Sequence, residues 1–208
     1  MTRHGIGLFG GSFDPVHDAH LELARRAKKQ LSLREVWFVP AWQPPHKSEQ
    51  VLSPAEDRLA MLELAIEGHK GLAICTIEID QQEVAYSVQT VDALTHTHLG
   101  ARFYLLLGED SLRELPRWRE PRRLLQMAPP VVMPRSVDLR RSGAFGEGGR
   151  KMSAVMGSSI IWLTGPPVNL SSTDLRASLA RGERPKGMNP KVIDYIEKQG
   201  LYREHILP

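Results

Sequence analysis

The residues with the most chemistry to offer lie together near the start of the chain, in Gly10-Gly11-Ser12-Phe13-Asp14-Pro15-Val16-His17-Asp18-Ala19-His20. Glycines without a Cβ let a phosphate approach the backbone closely, and successive amides in such a turn form an anion-binding concavity. Asp14-Pro15 makes a stiff turn. His17 and His20, three residues apart at the start of a helix, share a face. The positive end of the helix dipole and its free amides point to the same place. A triphosphate there would meet amides, the Ser12 hydroxyl and two imidazoles. The H-x-x-H spacing also suits a metal, with His4 or Asp18 as a further ligand. Phosphate is the better fit, and no resident metal is expected.

Just upstream, Gly5-Ile6-Gly7-Leu8-Phe9-Gly10 satisfies G-x-G-x-x-G. In a dinucleotide fingerprint those glycines form the turn after the first strand, and an acidic residue follows the second. Here Gly5 and Gly7 lie before or inside the strand, and Val39 is followed by Pro40 and Ala41. The context excludes a nicotinamide-dependent dehydrogenase.

The elements that must position these residues alternate between two types. Short apolar runs without polar alternation, at Ile6 to Phe9, Val36 to Val39, Leu72 to Ile79, Phe103 to Leu107, Val131 to Met133 and Ile160 to Leu163, predict strands buried on both faces. Between them Asp18 to Leu31 predicts a helix burying Leu21, Ala24, Ala27 and Leu31. Ser53-Pro54-Ala55-Glu56 predicts a capping box opening a helix through Leu62. Ser87 predicts the cap of a helix to about His96, and helical segments broken at Pro116 and Pro121 follow the fourth strand. Ser171 or Ser172 caps a helix through Arg176, and Lys191 to Lys198 forms the last helix, ended by Gly200. The expected fold is α/β, a Rossmann-like doubly wound parallel sheet of five to six strands in one domain, residues 1–208. The segments after Gly10, Pro40, Gly108 and Gly165 then open onto one crevice.

Residues 135–158 stand apart. They include Arg135, Arg140, Arg141, Gly143, Gly146, Gly148, Gly149 and Arg150, with few large apolar groups. They read as a mobile surface insertion, with a basic lid over phosphates as the sharper alternative.

Composition sets the outer bounds. The chain has 208 residues, 41% hydrophobic and 25% charged, with a net charge of +3, the balance of an ordinary globular protein. Mild basicity suits an anionic small molecule and is too weak to argue for nucleic acid. The cluster Arg113, Arg117, Arg119, Arg122 and Arg123 lacks interleaved aromatics beyond Trp118 and reads as a solvated helical face. A single cysteine, Cys75, with no apolar leader or membrane-length run, points to a cytoplasmic protein with no membrane partner.

The segment from Gly10 to His20 resembles the G-G-[ST]-F-D-P-x-H-x-G-H signature of the HxGH nucleotidyltransferase superfamily. Leu170-Ser171-Ser172-Thr173-Asp174-Leu175-Arg176 resembles its second motif, I-S-S-T-x-[IL]-R. Pro44-Pro45-His46-Lys47, Tyr86-Ser87-Val88-Gln89-Thr90, Gly108-Glu109-Asp110 with Leu115-Pro116-Arg117-Trp118, and Gly200-Leu201-Tyr202 narrow the resemblance to the bacterial nicotinate-nucleotide adenylyltransferases. It covers nearly the whole chain except 135–158. Four departures stand out: Ala19 in place of Gly, where a methyl would crowd the nearest phosphate, Ser12 for the commoner Thr, Ala85 before Tyr86, and Leu170 for Ile. Lys151-Met152-Ser153 matches three residues of the KMSKS loop of class I synthetases, too short a match to carry weight.

The resemblance implies adenylyl transfer from ATP to nicotinate mononucleotide, with pyrophosphate leaving and Mg2+ arriving with ATP. It implies catalytic roles for His17, His20 and Arg176. ATP would bind at Gly10, Gly11, Ser12, Phe13, Asp110, Ser171, Ser172 and Thr173, with Asp110 on the ribose. Nicotinate mononucleotide would meet His46 and Lys47 at its phosphate, Trp118 by stacking, and the amides at Tyr86 and Ser87 at its carboxylate. A sister enzyme acting on phosphopantetheine, and a catalytically silent nucleotide sensor, are the alternatives. The sequence leaves the oligomeric state open.

Overall fold

The computed structural model describes residues 4–43, 52–134 and 159–203. The loop carrying His46 and Lys47 and the segment 135–158 lie outside those residues. The described chain folds as β1 (His4–Gly11), α1 (Asp18–Gln30), β2 (Glu35–Pro40), α2 (Ala55–Ile66), β3 (Leu72–Ile74), α3 (Ile77–Gln81), α4 (Ser87–Thr97), β4 (Ala101–Gly108) and α5 (Glu109–Glu114). A 3-10 turn (Leu115–Arg117), α6 (Pro121–Met127), β5 (Pro130–Met133), β6 (Ile161–Trp162), α7 (Ser172–Ala180) and α8 (Pro190–Gln199) follow. Six strands form one sheet in the order β3-β2-β1-β4-β5-β6, and every neighbouring pair is parallel. This is the doubly wound arrangement that the run of short apolar strands predicts.

Burial on both faces explains those strands. On β1, Ile6 and Leu8 enter one hydrophobic cluster, with Val88, Val91 and Leu94 of α4 and Leu124 and Leu125 of α6. Phe9 enters the other, with Ala24 and Ala27 of α1, Met61 and Leu62 of α2, Leu175 of α7 and Ile196 of α8. A strand with apolar partners on both sides has no reason to alternate.

The glycines of the G-x-G-x-x-G match do packing work. A Cβ on Gly7 would meet Leu106 at 3.0 Å, Leu33 at 3.1 Å and Val36 at 3.2 Å. One on Gly5 would meet Leu33 at 2.9 Å. Both sit within β1, so the match reflects close approach of neighbouring side chains to a strand.

Several boundaries differ from expectation. The third strand stops at Ile74, and Ile77–Gln81 turn into a helix. There the Asp80 amide donates to the Thr76 carbonyl at 2.8 Å and the Thr76 hydroxyl to the Asp80 carboxylate at 2.8 Å. That local pairing outweighs the apolar run. Ser53 does not cap α2, whose N-cap is Pro54; the backbone of Ser53 is held by Asp14 and Arg58 instead. Tyr86, not Ser87, is the N-cap of α4. At α7, Ser171 is the cap, accepting from the Thr173 amide at 3.2 Å. No helix among the described residues is long and apolar enough to cross a membrane.

Candidate active site

In a doubly wound sheet the ligand crevice opens at the carboxyl ends of the strands where the winding reverses. Here that point lies between β1 and β4. Their paired register ends at Leu8 and Leu105, and beyond it β1 runs on to Gly11 and β4 to Gly108. Gly10 and Gly108 flank the opening. Neither is required by the fold: both lack a positive φ, and a Cβ on either would meet nothing within 4 Å. Their missing side chains make room at the crevice itself.

The chain from Gly11 to His17 crosses this edge. Phe13 takes a left-handed backbone, φ 50°, while its ring is buried. A bulky residue pays for that conformation in strain and holds it through packing. Here the packing is Phe9 and Phe38, with ring centroids 5.4 Å away in each case. Phe13 in turn meets the His20 ring edge-on at 5.1 Å. The His17 and His20 rings stack at 3.7 Å, 23° from parallel. The shared face expected of the pair is therefore present.

The His17 backbone amide donates to His20 Nδ1 at 3.2 Å. That bond makes Nδ1 the acceptor and leaves the proton of a neutral ring on Nε2. His20 can then donate a hydrogen bond without carrying a charge.

The free amides expected at the start of α1 are fewer than the residue pattern suggests. Asp18 N donates to the Gly187 carbonyl at 2.9 Å, and His20 N to the His17 carbonyl at 2.9 Å. Ala19 is buried, so its methyl occupies packed space.

The second motif is brought onto the first. The Ser172 hydroxyl donates to the Pro15 carbonyl at 3.1 Å. Arg176 donates through Nη1 to the Asp14 carbonyl at 2.6 Å and through Nη2 to the Thr173 hydroxyl at 3.3 Å. Segments some 160 residues apart in sequence thus share one rim, and part of the donor capacity of Ser172 and Arg176 secures the loop. Ser171 is committed as the cap, while Thr173 is exposed.

One residue of this rim lies outside every motif. Arg58 is 1% exposed and donates to four carbonyls: Ser12 at 3.0 Å, Ala41 at 2.7 Å, Trp42 at 3.2 Å and Ser53 at 3.0 Å. It joins the loop from Gly10 to His20 to both described ends of the segment that carries His46 and Lys47. Burial lowers its pKa, with Asp14 and Tyr202 acting the other way, yet a guanidinium stays charged. Asp14, equally buried, accepts from the Tyr202 hydroxyl at 2.5 Å and from the Ser53 amide at 3.2 Å. The helical stripe Arg58, Met61, Leu62, Ala65 follows i, i+3, i+4, i+7 and is buried throughout, which was the available signal for a buried arginine.

Across the crevice, Asp110 is exposed in the first turn of α5, beside the buried Glu109, which pairs with Arg113. Trp118 follows the 3-10 turn, half-buried against the cluster that holds α4 and α6. Tyr86 packs on the same cluster, with the Arg119 guanidinium 4.7 Å above its ring. Its amide is met by the Gln89 side chain at 3.4 Å. Tyr86 and Trp118 therefore pack against one face of the sheet, while α7 carries Leu175 into the cluster on the other. Among the described residues no group of three or more His, Cys, Asp or Glu is gathered as a metal site would need. A depression of about 510 Å3, lined by Gly5, Ser32, Arg102 and Tyr104, lies at the opposite, amino-terminal edge of the strands.

Comparison with known proteins agrees with this geometry. The cytidylyltransferase-like family model matches residues 8–178. A probable nicotinate-nucleotide adenylyltransferase of Streptococcus pneumoniae is 36% identical over 203 residues, 96% of this chain and 90% of that protein. One from Thermomicrobium roseum is 36% identical over 207 residues, 98% and 92% respectively. Among solved structures, a Plasmodium falciparum nicotinic acid mononucleotide adenylyltransferase complexed with NaAD superposes with a TM-score of 0.79 at 20% identity, covering 96% of this chain and 97% of that one. At that identity it speaks for the fold alone.

Proposed function

This chain belongs to the cytidylyltransferase-like family and, within it, to the nicotinate-nucleotide adenylyltransferases, and from that membership we propose that it joins ATP and nicotinate mononucleotide to give nicotinate adenine dinucleotide and pyrophosphate, a step of NAD biosynthesis. The observation that carries the reading is the rim on which the loop from Gly10 to His20 and the start of α7 are hydrogen-bonded together. It gathers imidazoles, hydroxyls and a guanidinium where a triphosphate would lie.

The mechanism we infer is direct in-line attack of the mononucleotide phosphate on the α-phosphorus. A phosphate attacker is already anionic, so no strong general base is required. The residues then work by positioning and charge stabilisation. His17 and His20 would donate to the transferring α-phosphate and the pyrophosphate. The tautomer that the His17 amide imposes on His20 suits that donor role. Ser12, Thr173 and Arg176 would hold the outer phosphates, supported by Ser171 and Ser172, which set the turn and the rim. Gly10, Gly11 and Phe13 shape the backbone that ATP would approach, and Asp110 would bind its ribose. Mg2+ would arrive with ATP and would supply charge neutralisation at the phosphates.

The mononucleotide would be received by Trp118, Tyr86 and Ser87, with His46 and Lys47 reaching its phosphate. Trp118 and Tyr86 pack on the opposite sheet face from α7. The mononucleotide phosphate oxygen would then bond to the α-phosphorus from one side while the bond to pyrophosphate breaks on the other, as in-line displacement demands.

Pyrophosphate release tests the reading, with ATP and nicotinate mononucleotide beside nicotinamide mononucleotide and phosphopantetheine. Turnover is expected with the two pyridine nucleotides and none with phosphopantetheine. The acid should be favoured about a hundredfold, because backbone donors suit both oxygens of a carboxylate and oppose the NH2 of an amide. Preferential use of phosphopantetheine would overturn the assignment.

A further inference from the structure

Glu78 is a carboxyl group that the mechanism above does not use. It lies in α3, 8% exposed, and its neighbour is Thr90 of α4. The Thr90 hydroxyl is 2.7 Å from Glu78 Oε1 and 3.4 Å from the Tyr86 carbonyl. One hydroxyl therefore links Glu78 to the N-cap residue of the helix whose start is proposed to receive the nicotinate carboxylate. We propose that Glu78 is a positioning residue that acts as a neutral carboxylic acid beneath the start of α4, and that its neutrality favours the acid mononucleotide over the amide. This rests on the reading of Tyr86 and Ser87 given above.

The surroundings favour the proton. Among the described residues the Glu78 carboxyl meets the Thr90 hydroxyl and no lysine, arginine or histidine pairs with it, so an ionised carboxylate there would be a buried charge without a counter-charge. Burial acts in the same direction. It is the leading cause that pushes the Glu78 carboxyl up to about 7, against the opposing hydrogen bond from Thr90.

Charged groups on the surrounding elements are engaged elsewhere. Asp80 of α3 accepts from Thr76, Asp92 of α4 pairs with Arg123, and Glu35 of β2 accepts from Trp37 and meets Arg34. Arg119 lies over the Tyr86 ring. Cys75, at the end of β3, feels the Glu78 charge, and burial holds its thiol in the protonated form.

The consequence is a difference between two substrates. A helix start favours an anion. An ionised Glu78 behind that start would repel a substrate carboxylate and would leave an uncharged carboxamide nearly indifferent. Glu78 is neutral below its raised pKa and charged above it. The ratio of specificity constants, acid over amide, should therefore be highest below pH 7 and fall as the pH rises through it. The second ionisation of the mononucleotide phosphate is common to both substrates and cancels in the ratio. At an effective dielectric of about 20, two like charges about 12 Å apart give roughly a tenfold change.

The experiment measures that ratio from pH 6 to 8.5, with ATP fixed, for the wild type and for Glu78→Gln, which keeps the shape and cannot ionise. A roughly tenfold fall in the wild type and a flat ratio in the variant are expected. A flat wild-type ratio, or an equal fall in both proteins, overturns the proposal. Carbon-13 titration of the side-chain carboxyl groups of the wild type tests it without a variant. A Glu78 signal titrating near 7 supports it, and one titrating in the ordinary range near 4 overturns it. Should neither mononucleotide react, the proposed function fails, and the carbon-13 titration still decides the state of Glu78.

Discussion

His20 illustrates how much of a side chain proposed to be catalytic is built by its neighbours. Its ring is bounded by His17, Phe9 and Phe13, and the His17 amide fixes which nitrogen carries the proton. A donor so arranged costs little reorganisation when charge moves onto the pyrophosphate. His20→Ala should therefore lower turnover by roughly two to three orders of magnitude while ATP still binds. Turnover measured beside ATP binding by calorimetry checks this, and a variant within a few-fold of wild type would remove His20 from the mechanism. Arg58 is the complementary case. It touches four carbonyls of the surrounding loops and belongs to none of the sequence motifs, so the apolar stripe it shares with Met61, Leu62 and Ala65 is the one pointer to it.

At the scale of elements, three glycines of β1 and β4 carry opposite burdens. Gly7 leaves room for Leu106, Leu33 and Val36 within 3.2 Å of a built Cβ, whereas Gly10 and Gly108 crowd nothing within 4 Å. Gly7→Ala should lower the melting temperature by several degrees, since overpacking a core costs about 1–3 kcal/mol. Gly10→Ala should melt as the wild type does but raise the KM for ATP at least several-fold, because its methyl would stand where a phosphate approaches. Thermal melts and ATP kinetics on the two variants decide it, and a destabilised Gly10→Ala with normal KM would reverse the assignment. The same strands show what was legible from sequence. Each apolar run marked a strand because both faces are covered, and the two motifs proposed to bind phosphate were readable because their residue types follow a fixed pattern that the structure brings onto one rim. The run from Leu72 to Ile79 overshot because one Thr76–Asp80 pairing turns its end into α3. Ser53 and Ser87 misplaced two helix starts. The Ser53 backbone is drawn to Asp14 and Arg58, and Gln89 closes back on Tyr86. The Ser53–Asp14 contact is long-range and has no local signature, whereas Gln89 at N3 is the local mark of a capping box that points to Tyr86.

The molecule as a whole closes its site with the residues after its last helix. α8 ends at Gly200 in a left-handed conformation, and the Leu201 amide returns to the Ile196 carbonyl at 3.0 Å. That turn sends Tyr202 into the cluster that holds Phe9 and Phe13, where its hydroxyl reaches Asp14 in the loop from Gly10 to His20, 188 residues earlier. Asp14 is 1% exposed, so removing the hydroxyl strands a buried oxygen. Tyr202→Phe should cost about 1–3 kcal/mol of stability, and a chain cut after Gln199 should lose more, because Leu201 and the Tyr202 ring leave the cluster as well. The pH dependence separates the hydroxyl from the ring. Burial first, and then Asp14, hold the Tyr202 hydroxyl well above the usual tyrosine range. In the unfolded chain it ionises near 10. Above that pH the folded protein keeps a proton that the unfolded one has lost, so stability falls as the pH rises. Denaturant titrations at pH 8 and 10.5 should show a smaller alkaline loss for Tyr202→Phe than for the wild type. An equal loss in the two proteins would mean that Tyr202 supports the phosphate loop through its ring alone.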